Sequence, residues 1–214
     1  MSKAYDTYCQ TVRSVEIFSS VYKDCVKKNP TSGTNYDDLL RGEYVLLVSA
    51  YETYLHQLIS EKIFDDIETA ESVKKSDASD AALLDFYLRQ LDYFQNAEDK
   101  KEEVANDFQV TTLLKMESVS SAFRLMLKIE NFKEKLFDKG KFNTDFENNY
   151  NGVIERRNQI VHESDMDNKT RLKRTISVKD ISDLKQTLCS IIETIENNID
   201  LWYSQAKLAG VLKR

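Results

Sequence analysis

Little in this chain breaks a helix. Its 214 residues include five glycines and a single proline, Pro30. With so few turn-formers and recurrent apolar spacing near 3.6, a sheet-rich fold is excluded and an all-α one is expected. Cysteine is also sparse: Cys9, Cys25 and Cys189 are odd in number and form no C-x-x-C pair. That excludes a disulfide framework and a thiolate zinc site, and fits reduced thiols in a cytoplasmic protein. No apolar run approaches membrane-spanning length, and the first residues do not read as a secretory signal peptide. Membrane association is not expected. Net charge is −6, so the broad basic footprint of nonspecific nucleic-acid binding is missing.

The length suits one domain, 1–214, large enough to bury a continuous core without disulfides. The pattern predicts a single-domain helical bundle of about five helices. The first runs over about 3–28, with Tyr5, Tyr8, Val12, Val15, Phe18, Val21 and Tyr22 on one face, and is broken by Asn29-Pro30-Thr31-Ser32-Gly33. The second covers about 36–68 with a core stripe of Tyr44, Leu47, Val48, Tyr51, Leu55, Leu58 and Ile59. Beside the stripe lies a polar row, Ser49, Glu52, Thr53 and His56. Residues 70–80 look loop-like, a third helix is expected over 81–95, and 98–103 reads as a solvated charge run. A fourth spans about 110–139, with a break, and ends at Gly140. Ser177 and Asp180 form an N-cap signature ahead of a long last helix to about Ala209. No internal repeat stands out.

Histidine is scarce too, with only His56 and His162, and the second sits in the most informative stretch: Arg156-Arg157-Asn158-Gln159-Ile160-Val161-His162-Glu163. A helix from Thr144, which makes a capping-box pair with Glu147, turns roughly 100° per residue through this run. Phe146, Tyr150, Val153, Ile154, Ile160 and Val161 then share an apolar arc, with Arg157 near its middle and Asn158 and His162 on the adjoining face. A guanidinium grips phosphate and an imidazole moves protons near neutral pH. The same placement also fits a snorkelling arginine or a structural ion pair. Either way an arginine on that arc needs a partner in the core, at an interface or in a ligand. Arg156 before the motif, and Lys169, Arg171, Lys173 and Arg174 after it, make a basic rim, read either as an RNA contact or as a solvated loop. His56, beside an apolar stripe, is read as structural, and Tyr44, Tyr51 and Tyr54 as core or interface.

Read as R-N-x-x-x-H before a loop and a final helix, Arg157–His162 resembles the motif of HEPN domains. The segment Gly42-Glu43-Tyr44-Val45-Leu46-Leu47-Val48-Ser49-Ala50-Tyr51-Glu52-Thr53-Tyr54-Leu55 is similar to the second helix of the RiboL-PSP-like branch. The resemblance covers about 36–68 and 144–203, leaving 70–140 as a less typical helical insertion. It implies a bundle that dimerises and brings two motifs together. It also implies a metal-independent endoribonuclease without cofactor, of the kind found in prokaryotic toxin–antitoxin and antiphage systems, with an antitoxin or defence protein as partner. Carried over, Arg157 and His162 are catalytic, Asn158 is the polar residue after the arginine, and Glu52 is a supporting carboxylate.

The residue types suit that chemistry. RNA supplies its own 2′-hydroxyl nucleophile, so the protein must provide a base, an acid and a cation for the charged phosphorane. One motif histidine per chain does not easily serve as both base and acid in one step. Two motifs facing across a dimer divide the task. No carboxylate-and-histidine cluster has metal-ligand spacing, in keeping with a metal-free route. Two other readings stay open: a non-catalytic binding or adaptor module, which the acidic charge favours, and a plain structural bundle.

Overall fold

The computed structural model describes residues 1–28, 35–64, 112–137 and 144–211. The break at 29–33, the helix expected over 81–95, the charge run at 98–103 and the stop at Gly140 lie outside them. The described helices are α1 (Lys3–Val15), α2 (Ile17–Lys28), α3 (Asp37–Phe64), α4 (Met116–Leu127), α5 (Phe132–Phe137), α6 (Thr144–Glu163) and α7 (Val178–Val211). The described residues form no strand beyond a single Met166–Lys173 bridge, and the fold is all-α. Among them, no helix is long and apolar enough to cross a membrane.

α3 is the axis of the bundle. Its apolar residues do not stay on one stripe: Leu40, Tyr44, Leu47, Val48, Ala50, Tyr51, Tyr54, Leu55, Leu58 and Ile59 are all buried. A helix apolar round most of its circumference must be covered on several sides, and α1, α2, α4, α6 and α7 all pack on it. The expected helix over 3–28 is interrupted once, at Glu16, whose backbone stays right-handed helical (φ −57°, ψ −17°). α2 buries no side chain completely, and Val21 on its expected apolar face is exposed.

Polar groups fix the registers. Ser2 caps α1 by accepting the Tyr5 N–H at 3.0 Å, and its own N–H and hydroxyl both donate to Glu196 of α7 at 2.7 Å. Tyr54 of α3 reaches the same carboxylate at 2.9 Å. The fully buried Glu43 accepts from the Ser19 hydroxyl and lies 2.9 Å from Lys185, linking α2, α3 and α7. The expected break in the fourth helix falls at Lys128–Asn131, where Lys128 and Asn131 take positive φ (55° and 53°). Phe123 and Phe132 then stack across it, with centroids 4.0 Å apart, and Phe132 meets Trp202 of α7 edge-on.

α6 is held on its apolar side. Tyr150 packs edge-to-face on Tyr51 of α3 at 6.1 Å and donates its hydroxyl to the Leu114 carbonyl at 2.5 Å. α7 begins as expected: the Ser177 hydroxyl accepts the Asp180 N–H at 3.3 Å, and Asp180 accepts the Ser177 N–H at 2.7 Å.

Candidate active site

The arginine, asparagine and histidine of the motif all lie on the last turns of α6, ahead of a loop that leads to α7. The apolar arc expected around Arg157 is only partly realised. Tyr150, Val153 and Ile154 are buried and Phe146 and Ile160 partly so, but Val161 faces outward, 44 % exposed. The last turn of α6 thus emerges from the core and carries His162 and Asn158, both exposed, to the surface.

Arg157 stands where the buried part of the arc meets that surface. One terminal nitrogen donates to the Asn158 side-chain oxygen at 3.1 Å. Its Nε is shut off from solvent and has no hydrogen-bond partner among the described residues. Among the described residues no carboxylate forms an ion pair with it.

Its charge is nevertheless felt by Glu52 of α3. Burial pushes the Glu52 carboxyl above the usual carboxylate range, and the Leu113 N–H at 3.1 Å and the Arg157 charge pull it partly back. The structure therefore brings Glu52, Arg157 and Asn158 into one neighbourhood at the root of the turn that carries His162. His56 is buried in α3.

Arg156, one residue earlier and about 100° round the helix, is engaged quite differently. Its guanidinium pairs with both oxygens of Asp165, at 2.7 and 2.9 Å, and donates to the Thr175 carbonyl at 3.0 Å. Asp165 is fully buried and is also held by Arg41 of α3, whose Nε lies at 2.6 Å. Arg41 donates further to the Arg174 carbonyl at 2.5 Å and to Asp38 at 3.0 Å. The pattern in the sequence did not single out Arg41 or Asp165. A usable sign was present for Arg41, since it falls on the same helical face as Tyr44 and Val48.

The basic rim divides in two. Lys173 pairs with Asp38 at 2.7 Å and holds that carboxyl below its usual range. Arg174 donates to the Met166 carbonyl at 2.7 Å and lies 3.7 Å from Glu163. Lys169 and Arg171 are exposed and join no ion pair among the described residues. The loop itself is stiffened by Asp167, which accepts from the Lys169 and Thr170 N–H groups at 3.0 and 2.8 Å.

A sequence profile of the family described as RiboL-PSP-HEPN matches residues 11–200, and so includes α6, its motif, the loop and most of α7. Among curated proteins and solved structures, none matches the chain.

Proposed function

The chain belongs to the RiboL-PSP-HEPN family, and from that premise we propose that it is a metal-independent endoribonuclease with Arg157 and His162 as its catalytic residues. One observation supports this above the others. Of the paired arginines at the motif, Arg156 is locked onto a buried carboxylate, whereas Arg157 has no ion-pair partner among the described residues and lies beside exposed Asn158 and His162. A fork of N–H donors held ready at the edge of the core suits a phosphate, whose oxygens accept it bidentately.

In the proposed reaction the RNA 2′-hydroxyl loses its proton to a base as the 2′-oxygen–phosphorus bond forms. The phosphorus–5′-oxygen bond breaks and the leaving oxygen takes a proton from an acid. Arg157 stabilises the charge that builds on the non-bridging oxygens, and Asn158 holds its guanidinium. His162 carries one of the two protons. The other is carried by the His162 of a second copy, which places the motif at or near a homodimer interface. The outward-facing Val161, an apolar residue 44 % exposed beside the proposed catalytic histidine, is compatible with such an interface. On the family resemblance alone, the chain serves as an effector of a toxin–antitoxin or antiphage system, with a protein partner that restrains it.

The test is to incubate the purified protein with single-stranded RNA in EDTA and to identify the new ends. The mechanism requires a 2′,3′-cyclic phosphate and a 5′-hydroxyl. Cleavage that depends on Mg²⁺ or leaves 5′-phosphates refutes it. No cleavage by the parent protein, together with RNA or protein binding, supports a non-catalytic binding module instead.

A further inference from the structure

α6 ends at Glu163, one residue after the motif histidine, and the next two residues take a backbone conformation that side chains rarely adopt. Ser164 and Asp165 both take left-handed φ, 51° and 60°. This turn brings the Asp165 N–H back to the Gln159 carbonyl at 2.9 Å, and the Met166 N–H to the Glu163 carbonyl at 3.1 Å. The last turn of α6, which carries His162, is thus closed by the backbone of Asp165 itself.

The Asp165 side chain is fully buried, so it does not meet RNA or serve solubility. One of its oxygens accepts Arg41 Nε at 2.6 Å and one Arg156 terminal nitrogen at 2.9 Å, and its other oxygen lies 2.7 Å from the second Arg156 terminal nitrogen as an ion pair. Its carbonyl accepts the Arg174 N–H at 2.9 Å, and the Arg174 carbonyl in turn accepts from Arg41. One residue therefore ties together α3, α6 and the loop before α7. A buried and a half-buried guanidinium group on one buried carboxylate are a poor way to gain stability, because apolar packing of the same volume does as well. What forked charge-assisted bonds supply that apolar packing does not is a fixed orientation.

We propose that Asp165 is a positioning residue: by clasping Arg41 and Arg156 it fixes the end of α6, and so the placement of His162 relative to Arg157. Its consequence for cleavage rests on the nuclease reading above; its hold on the histidine turn does not. The held turn presents His162 to solvent while Arg156, about 100° round α6 and drawn onto Asp165, leaves Arg157 as the guanidinium open to a phosphate.

The experiment compares Asp165→Asn with the parent in two measurements. The first is steady-state cleavage of a short oligoribonucleotide. kcat should fall roughly 10- to 100-fold, with KM within about threefold, because a displaced histidine impairs the reaction more than binding. The second is hydrogen exchange by mass spectrometry without RNA. Peptides covering 157–166 should exchange faster, while those in 44–59 and 181–199 keep parent protection. A kcat within about twofold of the parent overturns the proposal. So does exchange that accelerates equally in α3 and α7, since that marks a general structural role. Should Asp165→Asn fail to fold, Arg156→Lys replaces it. That variant keeps the charge but gives up the fork, and the same kcat-selective loss is expected of it; parent-like kcat overturns the clasp. A parent protein that cleaves no RNA removes the nuclease reading alone, and exchange then decides whether Asp165 holds the turn.

Discussion

The Arg156 guanidinium lies 2.7 Å from the buried carboxylate of Asp165, nine residues further along the chain. That contact turns Arg156 inward, beneath the loop, and separates its role from that of its neighbour Arg157. Two adjacent arginines, alike in the sequence, thus divide into a structural and an open one because α6 rotates them onto different faces.

Opposite results are therefore expected from the two alanine variants. Arg156→Ala leaves a buried carboxylate with only Arg41 to balance it, and should destabilise the fold by about 3 kcal/mol. Arg157→Ala removes a guanidinium with no ion-pair partner among the described residues, so its loss of stability should be smaller and its loss of cleavage larger. Denaturant titration and RNA cleavage on both variants check this, and equal stability losses would contradict the division.

At the motif itself, His162 is exposed at the end of α6. His162→Ala should then change stability by less than about 1 kcal/mol. If the imidazole transfers a proton in the transition state, cleavage should drop roughly 100-fold or more. Arg157→Lys keeps the charge without the planar fork and should fold like the parent yet cleave poorly. Melting temperature, circular dichroism and cleavage rate separate these effects. Parent-like cleavage by His162→Ala removes the motif as the active site.

Glu52 gives a pH signature. Its carboxyl is raised by burial, so the folded chain holds that proton more firmly than the unfolded one does. Its contribution is most favourable below the unfolded value and is lost as pH rises through the folded one. Glu52→Gln still accepts the Leu113 N–H but has no charge to bury. It should melt like the parent near pH 4, where the carboxyl is largely protonated, and above it near pH 8. A lower melting temperature at pH 8 would mean that the attraction of Arg157 outweighs burial.

The basic rim predicts a graded effect on RNA. Lys169→Ala and Arg171→Ala remove exposed cations and should each flatten the salt dependence of RNA binding by about 0.7 in log–log slope, the single-strand value. Lys173→Ala mainly loses its pairing with Asp38, an exposed contact worth at most about 1 kcal/mol, and should leave the slope nearly unchanged. Fluorescence anisotropy over a range of salt measures all three.

What the sequence made legible follows from the range of each interaction. Core stripes such as Tyr44–Leu47–Val48–Tyr51, the Ser177–Asp180 cap and the motif on α6 are local patterns, written within a few residues, and all appear in the fold. The pairing of Arg41 with Asp165 spans 124 positions, so no local pattern discloses it. Arg156, which the local pattern leaves open between an RNA contact and a solvated loop, is instead paired with that distant carboxylate. The outward position of Val161 escaped for a related reason: a helix that leaves the core part-way keeps its period while losing its cover.

Val161 supplies the final prediction. It stands next to His162, apolar and 44 % exposed, on the last turn of α6. If a second copy covers it, Val161→Glu places a carboxylate in an apolar contact and, by symmetry, opposes the same charge on the partner. The variant should therefore become monomeric without loss of helix, since a surface position tolerates the change within the subunit. With one motif histidine per chain, the monomer lacks either its base or its acid, so cleavage should fall with dimerisation. Light scattering at tens of micromolar, circular dichroism and the cleavage assay together test this. A parent that is already monomeric and active at that concentration removes the two-histidine mechanism, while a monomeric, inactive Val161→Glu beside a dimeric, active parent establishes it.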